Sequence, residues 1–260
     1  MAWLGKLFGG TIGFMFGGPL GMIAGIAFGH MFDKAGDMGD QNPYQAQNRS
    51  NLYTSLDQEQ MLFFVGAFSM LARIAAVDGA VTPRERQKVV EFIRQDLHLG
   101  IREEDAALRV FDAALTGGGT FDQFAGQFYQ KFQHAPNILQ LMIDIFYRVA
   151  AADGKINDRE EEMIRRAARL FRLPDSFVQM LCDRYGGSAN ASDKSYAILN
   201  LTRSASDEDV KRAYRKLSIE FHPDTLASKG MGEEFLGHAT AKFREIQQAY
   251  ESIKKERGMK

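Results

Sequence analysis

Apolar residues recur at helical spacing over most of the chain beyond residue 55, and no strand-period alternation competes with them. Between Leu56 and Tyr185 the helical stretches are punctuated by start signals: Ser55 with Gln58, Thr82 with Glu85, Thr120 with Gln123, and Asn157 with Glu160. Each pairs a side-chain acceptor for the free amides of a first turn with a Glu or Gln that reaches back. Pro83 adds a proline at a first helical position, where its missing N–H costs nothing. This pattern predicts about six or seven helices in the segment. The run Phe121, Phe124, Phe128, Tyr129 and Phe132 reads mostly as core, with the rest free to line a groove for another protein. Further on, Ser206 and the acids Asp207, Glu208 and Asp209 mark another helix start. There Val210, Ala213, Tyr214, Leu217 and Phe221 form an apolar stripe, with Lys211, Arg212, Arg215 and Lys216 opposite. Pro223 must end this helix, since it lacks an N–H and disfavours helical dihedrals at His222. His222 and Asp224 are thereby expected on an exposed loop. A second stripe, Phe243, Ile246, Ala249, Tyr250 and Ile253, is set to pack antiparallel on the first, and Tyr196–Leu201 would close the open end of the pair. The expected fold is all-α.

Two weakly patterned stretches divide the chain. The polar segment from Asp33 to Asn51 reads as a tether, and Gly186–Lys194, rich in small polar residues, as a linker that lets the C-terminal unit reorient. The resulting units are 1–32, an anchor; 33–54, a linker; 55–185, a helical domain; 186–194, a linker; and 195–260, a C-terminal helical hairpin. Within the middle unit, Arg73 to Glu85 parallels Arg148 to Glu160: a helix end, an Asp-Gly turn and a capped helix, an internal duplication.

No charged residue occurs from Leu7 to Phe28, a length that at about 1.5 Å per residue matches a hydrocarbon core of about 30 Å. The stretch reads as a single membrane span, with Pro19 expected to kink it. A cleaved signal peptide and a flexible leader are the competing readings. Gly5, Gly9, Gly13, Gly17, Gly21, Gly25 and Gly29 fall at every fourth position and would make one smooth helical face. In lipid such a face lets two backbones approach closely, so Gly9, Gly13, Gly17, Gly21 and Gly25 are expected to carry self-association into a homodimer.

A formal net charge of -1 argues against a nucleic-acid binder. Cys182 is the lone cysteine, so no internal disulfide and no thiolate metal cluster can form, which fits a reducing compartment. Asp78 and Asp153, with Glu85, Asp158, Glu160 and Glu161, could be imagined as a divalent-cation site. Turn and cap roles explain the same residues, and neither loop has the alternating ligands of a calcium-binding hand, so no metal and no cofactor is expected. His98, His134 and His238 stand apart from any ligand-spaced partner and read as surface or packing residues. His222 and Asp224 are separated by Pro223 with no nucleophile beside them, so bond chemistry, and hence an enzyme, is not expected.

From Ser195 to Glu256 the chain resembles the J-domain of DnaJ-type co-chaperones, through Tyr-Ala-Ile-Leu-Asn-Leu from Tyr196, the basic helix, His222-Pro223-Asp224, and the run from Lys242 to Tyr250. The resemblance implies a DnaK-type heat-shock chaperone as partner, whose ATP hydrolysis is stimulated. By position it also implies a contact set of Lys211, Tyr214, Arg215, Lys216, His222, Pro223 and Asp224. Thr225 stands where J-domains commonly have Lys, which removes one local positive charge. The duplicated middle resembles TerB-like domains. The three parts together resemble the DjlA group of membrane-anchored DnaJ-like proteins. That implies a bacterial inner-membrane location, with the C-terminal units facing the cytoplasm, where the chaperone works, and a client or signalling partner for the middle domain. The competing expectation is a TerB-like metal-binding or envelope-stress sensor with the J-like part secondary.

Overall fold

The computed structural model describes residues 17–36, 55–154, 156–186 and 191–259. Every regular element among the described residues is helical: α1 Gly18–Gly36, α2 Ser55–Ala75, α3 Pro83–Glu91, α4 Ile101–Thr116, α5 Phe121–Phe132, α6 Pro136–Ala150, α7 Asp158–Leu170, α8 Asp175–Tyr185, α9 Ala191–Ile198, α10 Asp207–Glu220, α11 Pro223–Ser228 and α12 Leu236–Arg257. The middle unit, α2 to α8, thus holds seven α-helices, within the expected range.

Its centre is α2. Every residue from Gln60 to Ala72 is buried, as a helix apolar on all sides requires. Phe63 and Phe128 lie 5.7 Å apart, Phe128 and Phe132 4.6 Å, and Phe128 and Phe171 5.7 Å, so aromatic rings join α5 to α2 and to the residue that caps α7. The phenylalanines of α5 are therefore core, with Tyr129 only half-buried. Three of the expected cap pairs in this unit form complete capping boxes, at Thr82, Thr120 and Asn157. At Thr82 the backbone N–H donates to Glu85 Oε2 at 2.6 Å while Glu85 N–H donates to Thr82 Oγ1 at 3.2 Å.

The duplication extends to contacts. Gly79 and Gly154 both take positive φ, +129° and +86°, which only glycine adopts without strain. The arginine preceding each turn grips a neighbouring segment. Arg73 Nη2 donates to the carbonyls of Gly117 and Gly119 at 3.2 and 2.8 Å, and Arg148 pairs with Asp96. Asp96 ends a π-helical turn, Phe92–Asp96, that prolongs α3.

In the N-terminal region the described residues alter two expectations. Gly17 and Gly18 have φ of +54° and +63°, so α1 starts at Gly18, and Pro19 lies in its first turn instead of kinking a longer helix. Leu20, Ile23, Ala24, Ala27 and Phe28 are buried against α2, α4 and α5. Leu20 N–H donates to Gln127 Oε1 at 2.9 Å, and Gln127 Nε2 donates to the Gly17 carbonyl at 3.0 Å, capping the helix from α5. Gly17 therefore stands before the helix and Gly21 is buried by the chain's own bundle, so the described glycines do not present the single open face expected of the ladder. Gly9 and Gly13 lie outside the described residues. Among the described residues no helix is long and apolar enough to cross a membrane.

The C-terminal unit is the expected hairpin, α10 against α12, with Tyr214 and Tyr250 stacked at 4.1 Å. Tyr196 and Leu199 are buried where the leading segment closes the pair. Arg257 ties the far end, donating to Tyr196 Oη at 2.7 Å and to the carbonyls of Ala205 and Arg203, each at 2.7 Å. This unit is not held apart from the middle one. Phe235, fully buried, sits 4.7 Å from Phe63 and 5.9 Å from Phe68, so the two units share a core where the linker suggested free reorientation.

Candidate functional site: the His-Pro-Asp corner

The basic helix α10 opens on Ser206, whose side chain and that of Asp209 complete a capping box, and its apolar stripe buries Val210 and Leu217. It stops at Glu220 because Pro223 cannot continue it. The chain then does not enter a loop. Pro223 at a first helical position starts α11, with His222 as its N-cap: Nδ1 accepts from the Asp224 N–H at 3.3 Å, and the His222 carbonyl accepts from Leu226 at 3.1 Å. The site is a corner between two helices, pinned below by Phe221 and Leu226, both buried.

His222 stands edge-on to Phe243 at 5.4 Å. Its Nδ1 is 3.7 Å from Asp224 Oδ2, too far for a hydrogen bond, and the Asp224 side chain is 92% exposed. Along α10, Arg215 is exposed, and Lys216 is 70% exposed with its Nζ 3.9 Å from Glu220. Lys211 is half-buried, and Tyr214 lies in the seam with Tyr250. Pro223 is half-buried at the turn itself. The structure thus brings an unshielded carboxylate to the end of a helix whose outer face is cationic, an arrangement suited to docking.

Two residues that sequence reasoning passed over, Asn137 and Asp144, tie α6 to the C-terminal unit. Asn137, at the start of α6 and 3% exposed, donates from Nδ2 to the Glu220 carbonyl at 2.6 Å and accepts at Oδ1 from Lys229 Nζ at 3.1 Å. Two turns along, Asp144 is 3% exposed and receives Lys242 Nζ of α12 at 3.0 Å and Arg184 Nη1 of α8 at 3.2 Å. His238 Nε2 lies 3.4 Å from its other oxygen, so this histidine is a packing residue within a charge cluster. Burial works to raise the Asp144 carboxyl, but Lys242, His238 and Arg184 overcome it and hold the group far below the usual carboxylate range. Burial lowers the Lys242 ammonium, opposed by Asp144. The available signal was a carboxylate between Ile143 and Ile145, the single acid of α6.

Asp78, one of the two aspartates considered for a cation, accepts from Arg159 Nη1 at 2.8 Å and from Asn157 Nδ2, which ties the first turn of the duplication to the second capped helix. The Asp153 side chain lies outside the described residues. Among the described residues no group of three or more His, Cys, Asp or Glu could hold a metal ion.

Comparison with known proteins agrees with this layout. Residues 1–50 match the family described as the co-chaperone DjlA transmembrane domain, 65–181 the tellurite resistance protein TerB, and 194–258 the DnaJ domain. Order and content define a membrane-anchored J-domain protein. The chain is 32% identical to the co-chaperone protein DjlA of Vibrio cholerae over 98% of this chain and 99% of that one. It is 28% identical to the Photobacterium profundum protein of the same name, over 98% and 99%, and 26% to that of Coxiella burnetii, over the whole of both. The chain belongs to the DjlA family of co-chaperones. No solved structure matches it. The competing expectation of a metal or stress sensor is not favoured by these relatives.

Proposed function

We propose that this chain is an inner-membrane co-chaperone whose His-Pro-Asp corner recruits a DnaK-type heat-shock chaperone and stimulates its ATP hydrolysis, performing no bond chemistry itself. The observation that carries the reading is Asp224: a carboxylate with a 92% exposed side chain, fixed at the end of a cationic helix and ready for an arginine of the partner. A single pass, with the C-terminal units on the cytoplasmic side, follows from where such a chaperone works. Single-turnover ATP hydrolysis by the chaperone, with full-length protein in lipid vesicles, tests it. Wild type is expected to raise the rate, and His222→Gln to lose roughly tenfold or more of that stimulation, a change worth about 1.4 kcal/mol. Equal stimulation by both would refute the reading.

Within the same reading the anchor pairs with a second copy through its glycines. Gly17 precedes α1 and Gly21 is buried in the bundle, so Gly9, Gly13 and the half-buried Gly25 are left to carry this contact. Replacing Gly9 and Gly13 by Leu is expected to abolish the signal in a membrane two-hybrid assay. An unchanged signal removes the self-association from the proposal.

A further inference from the structure

The contact made by Asn137 has a geometry that packing alone does not require. Glu220 is the last residue of α10, and the carbonyls of a helix's last turn have no partner within the helix. Lys229 follows directly on α11. The corner, Phe221 to Ser228, lies between these two residues, and one side chain from a different folding unit joins its two ends. The Asn137 carboxamide meets both ends at once. A carbonyl can only accept and an ammonium can only donate, so the bridging group must offer a donor to one and an acceptor to the other. Asn137 is itself fixed: Pro136 starts α6, Ile138 to Tyr147 are buried apart from Gln140, and Asp144 on the same helix grips Lys242 of α12.

We propose that Asn137 is a positioning residue for the His-Pro-Asp corner: by bridging the Glu220 carbonyl and Lys229, it lets the TerB-like unit set the geometry in which Asp224 and the cationic face of α10 are offered to the chaperone. This rests on the function proposed above. The TerB-like unit is then a mount for the J-domain, with the hydrogen bonds of the corner and the turn after it, Leu226 N–H to the His222 carbonyl and Met231 N–H to the Leu226 carbonyl, held in place from behind.

The test uses full-length protein in vesicles with the chaperone and ATP. For wild type, Asn137→Ala, Asn137→Asp and Lys229→Met it measures the maximal single-turnover rate, the half-saturating concentration, and hydrogen exchange of the Leu226 and Met231 amides. Asn137→Asp keeps the acceptor for Lys229 but sets a carboxylate against the Glu220 carbonyl. Both Asn137 variants are expected to lose about fivefold of the maximal stimulation, the size of one hydrogen bond of about 1 kcal/mol, with faster corner exchange. Lys229→Met is expected to lose less. A purely structural role would lower the unfolding midpoint of Asn137→Ala yet leave stimulation and corner exchange at wild-type values well below that midpoint, and this result overturns the proposal. Should the Asn137 variants fail to fold, Lys229→Met decides: unchanged stimulation and exchange count against the bridge. If wild type fails to stimulate, the functional reading falls, while the exchange measurement still tests the bridge.

Discussion

Gly230 follows α11 with φ of +88°, and a Cβ built on it would fall 2.5 Å from Cβ of Glu59 on α2. The close approach is what allows the segment beyond the corner to lie against the middle unit. Gly230→Ala therefore carries two costs, a left-handed backbone of about 1 kcal/mol and a forced separation from α2. Gly258 supplies the comparison, with φ of +61° and nothing within 4 Å of its would-be Cβ. Urea unfolding is expected to show Gly258→Ala losing about 1 kcal/mol and Gly230→Ala clearly more. Equal losses would mean that the contact with Glu59 gives way freely. At this scale the sequence was legible where a residue's role depends on its neighbours along the chain, as for Ser206, whose side chain accepts from the Asp209 N–H. It was silent on Asn137, whose partners stand 83 and 92 positions away.

Elements were legible through their caps. Ser206, Thr82, Thr120 and Asn157 announce four helices because the acceptor and the returning side chain lie within one turn. Proline misled twice for one physical reason: it ends a helix and begins one equally well. Pro223 was read as a stop before a loop and also starts α11, and Pro19 was read as a kink and lies in the first turn of α1. The helix α12 begins at Leu236, ahead of the stripe that starts at Phe243, because its first turns bury His238 and Lys242 against Asp144 of the middle unit. A run of apolar residues without charge fits lipid and protein interior alike, so the pattern from Leu7 to Phe28 could not reveal that Leu20 to Phe28 also fill a groove between α2, α4 and α5.

At the scale of the whole molecule, the join between the TerB-like and J-like units is held by Phe235 among the rings of α2 and by the charges around Asp144. The Asp144 carboxyl is depressed in the fold, whereas in the unfolded chain it titrates near 4. A group depressed on folding adds stability that is complete above its unfolded value and is lost as pH falls toward the folded one. Stability of the joined units is therefore expected to decline below about pH 5 in wild type, and less steeply in Asp144→Asn, which has no such proton to take up. At neutral pH that variant should already be about 3 kcal/mol weaker, since the buried Lys242 and the partly buried Arg184 then keep only the half-exposed Glu245, 3.8 and 3.6 Å away, as counter-charge. Replacing both, Asp144→Leu with Lys242→Met, should recover part of the loss, because the attraction of a buried pair largely offsets its own desolvation and Arg184 keeps Glu245 at 3.6 Å. Urea midpoints between pH 3 and pH 7 measure all three. Parallel acid slopes in wild type and Asp144→Asn would show that the carboxylate contributes nothing to the join, which would then rest on Phe235 and its aromatic neighbours alone.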